Sequence, residues 1–218
     1  MADPVIGILG AGRIGTALAR LAVKAGYDVG VATAKPPAEI ALLLEFTAPG
    51  ARAETAADLV AGSDMVILAL PLGKYRMLDP AAFAGKITVD AMNYWPQTEG
   101  NLPEFDSPLS SSEIIQAYLP QARVVRGFNH MGYHEFEQDA RPAGDVGRRA
   151  MALAGNDDAA NAVVAELVSR IGFDPVVAGD LRASRCFGIG TPIFGAGANA
   201  SELAALLARR IEAILPKD

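Results

Sequence analysis

Three glycines at fixed spacing carry the first chemistry of this chain. Gly10, Gly12 and Gly15 directly follow the apolar run Val5–Leu9, and from Ile14 to Ala25 the sequence turns amphipathic. A strand, a tight turn and a helix in that order form a cradle for phosphates. Gly10 permits the sharp turn, Gly12 leaves the backbone bare for a pyrophosphate, and Gly15 lets the helix pack closely on the strand. The free N–H groups of the helix's first turn then face the phosphates, and its dipole favours their charge. The pattern predicts a dinucleotide site.

The next chemical signal lies about 20 residues on, where an NAD fold places an acid for the ribose hydroxyls. Here the end of the second apolar strand reads Val31-Ala32-Thr33-Ala34-Lys35, and Asp28 stands at the strand's other end. A hydroxyl and a cation suit a 2′-phosphate, which a carboxylate would repel. Arg13, inside the glycine loop, is a third candidate for that phosphate. NADP(H) is therefore expected rather than NAD. Ligands on such sheets sit beyond the carboxyl ends of the strands, which directs attention to Leu70 and Pro71, to Met92 and Asn93, and to Asn129 and His130. Asn93 suits either the nicotinamide side or a turn-capping role.

The elements that must hold these residues follow from hydrophobic patterning. Strands are expected at Val5–Leu9, Tyr27–Ala32, Ala51–Glu54, Met65–Leu70, Ile87–Asp90, Arg123–Phe128, Arg149–Ala154 and Phe173–Val177. Helices are expected over Arg13–Gly26, after Pro36-Pro37 with Ile40, Leu43, Leu44 and Phe46 inward, and over Thr55–Ala61, with Thr55 as N-cap. Further helices are expected over Lys74–Phe83, Ser112–Leu119, Ala159–Ile171 and Ala200–Leu215. The last carries a wide stripe, Leu203, Leu206, Leu207, Ile211 and Ile214, which must face the sheet or a second subunit. Continuous apolar strands alternating with helices predict an α/β, Rossmann-type doubly wound parallel sheet with a small C-terminal helical extension. The expected division is a dinucleotide-binding core over 1–128 and a C-terminal part over 129–218 that extends the sheet and supplies an acceptor pocket and a dimer helix. Residues Ala91–Ser111, with several prolines and the single tryptophan, Trp95, form a loop long enough to suggest function.

Bulk properties narrow the classes. Among 218 residues the net charge is −6, with no basic cluster, which disfavours a nucleic-acid partner. One cysteine, Cys186, excludes an intramolecular disulfide framework and reads as a small buried hydrophobe. No apolar stretch suits a signal peptide or membrane span, so a soluble cytoplasmic protein is expected. His130 and His134 are four apart, a metal-ligand spacing on a helix, but Gly132 lies between them and no third ligand presents itself; no metal is expected.

The chain resembles the NADPH-dependent F420 reductases, a family of NADP oxidoreductases that use an 8-hydroxy-5-deazaflavin coenzyme. The resemblance rests on Gly10-Ala11-Gly12-Arg13-Ile14-Gly15, the Thr33-Ala34-Lys35 corner and Val66–Pro71. It continues through Val89–Pro96, Arg123–His134, and Ala178–Leu181 on to Thr191-Pro192. The strings Asn93-Tyr94-Trp95-Pro96 and Phe128–His134 resemble a bacterial branch. The resemblance implies hydride transfer between a nicotinamide and a deazaflavin, coenzyme F420, stacked face to face. Such chemistry needs close placement more than acid–base groups, and no Tyr-x-x-x-Lys pair or nucleophile elbow is present.

The resemblance also implies a homodimer, and places His130 near the acceptor ring in a catalytic or a structural role. The apolar tail Gly188–Gly195 is suited to line the acceptor slot. The expected cofactor contacts are Gly10, Ala11, Gly12, Arg13, Ile14, Thr33, Lys35, Leu70, Pro71, Met92 and Asn93. Two other readings stay open: a non-catalytic NADP-sensing module, and a reductase of a small imine or keto acid, although the latter families append a longer helical domain.

Overall fold

The structure, a computed structural model, describes residues 3–214. Eight strands form one sheet in the order β3-β2-β1-β4-β5-β6-β7-β8. They are β1 (Ile6–Leu9), β2 (Val29–Ala32), β3 (Arg52–Ala53), β4 (Met65–Leu68), β5 (Ile87–Asp90), β6 (Arg123–Arg126), β7 (Ala150–Gly155) and β8 (Asp174–Val177). The helices are α1 (Arg13–Lys24), α2 (Pro37–Thr47), α3 (Ala56–Gly62), α4 (Pro96–Glu99), α5 (Ser111–Tyr118), α6 (Glu135–Asp139), α7 (Asp158–Arg170) and α8 (Ala200–Ile214). Leu215, expected to close α8, lies outside the described residues. The strand order 3-2-1-4-5-6 is that of a Rossmann fold, with its switch point between β1 and β4.

The two-residue period of each strand sorts the core into two layers. Ile6, Ile8, Met65, Ile67, Ile87, Val89, Val125, Met151 and Leu153 meet α1, α2, α6 and α7 on one face. Leu9, Val66, Leu68 and Val124 meet α3, α5 and their neighbours on the other. On that second face β7 presents only Ala150, Ala152 and Ala154, and over this shallow row pack Phe187, Ile193, Leu203 and Leu207. The stripe of α8 thus folds back on its own sheet, with Leu203 and Leu207 buried and Leu206, Ile211 and Ile214 half-buried. Among the described residues no helix is long and apolar enough to cross a membrane.

Three expectations need correction. The sheet is not wholly parallel, because β7 runs antiparallel to β6, pairing Val125 with Gly155 and Arg126 with Ala154. No crossover carries the chain back across the sheet between them; five-residue α6 stays at the end where β6 stops, so β7 must return in the opposite direction. The crossover after β4 is two 3-10 segments, Leu72–Met77 and Pro80–Phe83, rather than one helix. Pro80 disfavours helix at the preceding residue, and Asp79 caps the second segment through its carboxylate and the Ala81 N–H. Finally, α2 buries Ile40 and Leu44 but not Leu43 or Phe46, the latter 80% exposed. The neighbouring edge strand β3 is two residues long and covers only a narrow stripe.

Glycine is a steric necessity at the opening turn. Gly10 has φ +125°, and a Cβ there would lie 2.2 Å from the Ala69 carbonyl. A Cβ on Gly15 would lie 1.9 Å from the Gly10 carbonyl, whereas one on Gly12 would meet nothing within 4 Å. Gly15→Ala should therefore cost about 2 kcal/mol or more, and Gly12→Ala well under half of that. Urea midpoints measure both, and equal destabilisation would contradict this geometry.

Candidate functional site

The carboxyl ends of β1, β2, β4, β5 and β6 bring the predicted residues to one edge of the sheet. Gly12 is the N-cap of α1 and offers no side chain to its first turn, which also contains no acid. The leading N–H groups of α1 are thus free of side-chain caps, beside the open space over Gly12. Ala11 and Ile14 contribute backbone to this turn and are half-buried against the core. At the end of β2 the Thr33 hydroxyl accepts the Lys35 N–H at 3.0 Å, which leaves its own proton to donate. Lys35 is exposed, and among the described residues its one ion-pair partner is Glu39 at 4.0 Å. Asp28 is engaged by Arg52 at the strand's far end, and Glu54 accepts from the same arginine. The donor set therefore fits a phosphorylated dinucleotide: bare amides for a pyrophosphate, and a hydroxyl with an ammonium for a 2′-phosphate.

Pro71 is exposed and Leu70 half-buried at the end of β4. The long loop after β5 is pinned there. Glu99 accepts N–H bonds from Gly73 at 3.0 Å and Trp95 at 3.2 Å, and the Tyr94 hydroxyl donates to the Gly100 carbonyl and accepts from the Leu102 N–H. Met92 is 2% exposed. Its N–H donates to Asp90 and its carbonyl accepts from Arg126, so neither backbone group is left for a ligand. Asn93 is half-buried, accepting from Arg126 Nη2 at 2.9 Å and donating to the Asn129 carbonyl at 2.7 Å.

These contacts expose a feature that sequence reasoning missed. Asp90 and Arg126 end neighbouring strands in direct register and point to the same face. They form an ion pair at 3.0 Å, with side-chain exposures of 0% and 4%. Ser112 of α5 donates to the same Asp90 oxygen at 2.7 Å. With its amide oriented to match its neighbours, Asn129 accepts from Arg126 Nε at 3.1 Å and Nη2 at 2.9 Å. The signal was present in the sequence: opposite charges closing two apolar strands, where surface residues have no place.

Beyond β6 the chain bends sharply. Phe128 adopts φ +60° while fully buried, a conformation sparsely populated outside glycine. His130 follows, 1% exposed. Its Nε2 accepts the Ala152 N–H at 2.9 Å, beyond the last paired residues of the β6–β7 ladder, and its carbonyl accepts the Gly195 N–H at 2.7 Å. The imidazole thus ties β7 to the site, and Nδ1 is left without a partner. Burial, aided by Arg149 and Arg126, lowers its pKa from 6.5 to about 4. His134 is exposed and edge-on to Tyr133, so the two histidines share no helical face. Among the described residues no group of three or more metal-ligating side chains is assembled. The tail closes the arrangement: Phe194 packs edge-on to Trp95 at 6.2 Å, and buried Arg149 joins the Ala196 carbonyl to Glu135 and Asp139.

Two measurements test this geometry. Arg126→Met leaves Asp90 buried without its counter-charge and should cost about 3–5 kcal/mol in urea unfolding, much of it recovered in the double variant with Asp90→Leu. A double variant no more stable than the single one would refute the pairing. His130 is neutral in the fold, with a pKa below its unfolded value. Its contribution is complete above pH 6.5 and is lost as the pH falls toward about 4. The shift corresponds to about 3 kcal/mol, and His130→Gln should flatten that part of the stability profile.

The comparisons bear on this edge of the sheet. Residues 5–94 match the family model described as NADP oxidoreductase, coenzyme F420-dependent. The chain is 29% identical to a hypothetical protein of Sinorhizobium meliloti, covering 89% of this chain and 95% of that one at a TM-score of 0.75. It is 26% identical to a protein of Arthrobacter sp. FB24 provisionally described as an F420-dependent NADP-reductase, over 97% and 94% of the two chains at a TM-score of 0.72. An imine reductase of a Pseudomonas species shares the fold at 21% identity and a TM-score of 0.57, over 97% of this chain and 63% of that one. Among curated proteins none matches. Through residues 5–94, which carry the glycine turn, the Thr33–Lys35 corner and Asn93, the chain is similar to the coenzyme F420-dependent NADP oxidoreductases, and it is an NADPH-dependent oxidoreductase.

Proposed function

We propose that this protein passes a hydride between NADP(H) and a planar redox acceptor of the deazaflavin type. The observation that carries the reading is the bare, uncapped first turn of α1 beside the acid-free corner of Thr33 and Lys35. When bound, NADPH supplies the hydride.

The chain's own part is to hold and to exclude water. Gly10, Ala11, Gly12, Arg13 and Ile14 form the phosphate turn, and Thr33 and Lys35 take the 2′-phosphate. Leu70 and Pro71 flank the ribose and nicotinamide. Asn93, fixed by Arg126 and the Asn129 carbonyl, would offer its remaining amide hydrogen to the nicotinamide side. Met92 supports from within the core. The three segments Asn93–Trp95, Asn129–Tyr133 and Phe187–Ala196 converge through the Trp95–Phe194 contact and the bond from Gly195 to His130, which supports an acceptor slot walled by apolar groups. His130 acts in this scheme as a positioning residue, since its Nε2 is engaged by Ala152.

Lys35→Asp should weaken NADPH binding about tenfold or more while changing NADH binding little; equal losses would remove the 2′-phosphate assignment. Stopped-flow oxidation of NADPH by deazaflavin, flavin and quinone acceptors tests the second substrate. Tight NADPH binding with no oxidation by any of them would instead indicate a non-catalytic sensor.

A further inference from the structure

We infer that Tyr133 is a positioning residue for phosphate capture, holding the Arg13 guanidinium in place beside the glycine turn. The inference rests on the cofactor reading above. Arg13 is the first residue of α1, directly after Gly12, and is exposed. Among the described residues no carboxylate pairs with it; its contact is the ring of Tyr133, with the guanidinium carbon 5.1 Å from the centroid.

The choice of partner matters chemically. A carboxylate would occupy the guanidinium's donors and repel an incoming phosphate. An aromatic ring holds the cation through its π-face without offering a charged acceptor, so N–H donors remain for a phosphate. An arginine held over a ring has also given up some of its rotamer freedom before the ligand arrives, so less is lost on binding.

Tyr133 is itself well held. Glu135 accepts the N–H of Gly132, and Arg149, 5% exposed, donates to Glu135 at 2.9 Å. His134 stands edge-on to the Tyr133 ring at 5.5 Å. The ring is nonetheless 40% exposed, so it is not present to fill the core. Through Arg149 and the Ala196 carbonyl, the same series of contacts reaches the tail on the far side of the site.

The test is a double-mutant cycle read by calorimetry on the full chain, with NADPH and NADH as ligands and Arg13→Gln, Tyr133→Leu and Tyr133→Phe as variants. Tyr133→Leu should weaken NADPH binding about two- to fivefold. Tyr133→Phe, which keeps the ring face, should bind within about twofold of the parent. In the Arg13→Gln background Tyr133→Leu should have no further effect. Loss for NADPH alone would assign the 2′-phosphate as Arg13's partner, and equal loss for NADH would assign the pyrophosphate; each supports the inference. Undiminished binding by Tyr133→Leu, or an equal loss with and without Arg13, overturns it while leaving the cofactor reading intact. Absence of binding by the parent protein overturns both. Thermal melts of the variants separate any folding defect from a binding one.

Discussion

The ion pair between Asp90 and Arg126 organises the carboxyl edge of this sheet. A charge taken so far from water is tolerated only when its opposite stands beside it and its remaining donors are satisfied. Both conditions are met, by Ser112, Met92, Asn93 and Asn129. These partners come from α5, from the loop after β5 and from the loop after β6. None of them can shift far without stranding a buried donor or acceptor. A hydrophobic pair at the same positions would pack two strands equally well, but it would leave the three segments free to slide past one another.

The reversal at β7 explains how so short a chain returns to that edge. Because β7 runs backwards, its first residues lie beside Asn129 and His130, and the Ala150 N–H finds its acceptor in the tail at Ala198. His130 and Arg149 then complete the junction, one through Ala152 and the other through Ala196. Both side chains, one neutral and one charged, join strand to tail.

Much of the dinucleotide half was legible in the residues. β5 falls at Ile87–Asp90 as its apolar run indicates, and Thr55 caps α3 by accepting the Asp58 N–H. The opening turn was readable because its glycines answer to local sterics, which no distant contact overrides. The direction of β7 was not readable, since Ala150–Gly155 is as apolar on both faces as any parallel strand and carries no mark of its neighbour's orientation. The inward turn of His130 was hidden for a related reason: burial of a lone polar residue depends on an acceptor or donor that only the fold supplies. Asp90 and Arg126 stood in view as charges at strand ends, but their register across β5 and β6 is a tertiary fact. On α2 periodicity misled, because a helix at a sheet's edge buries only as wide a face as its neighbours can cover.

The alternation of alanine along β7 has a consequence for how such molecules diversify. Each methyl group sets the height at which Phe187 and Ile193 rest above the strand, and with them the whole returning segment. A row of valines or leucines at the same three positions would act as a thicker shim, lifting that segment away from the sheet without altering any residue it presents outward. The height of that segment is thus governed from beneath, by buried methyl groups.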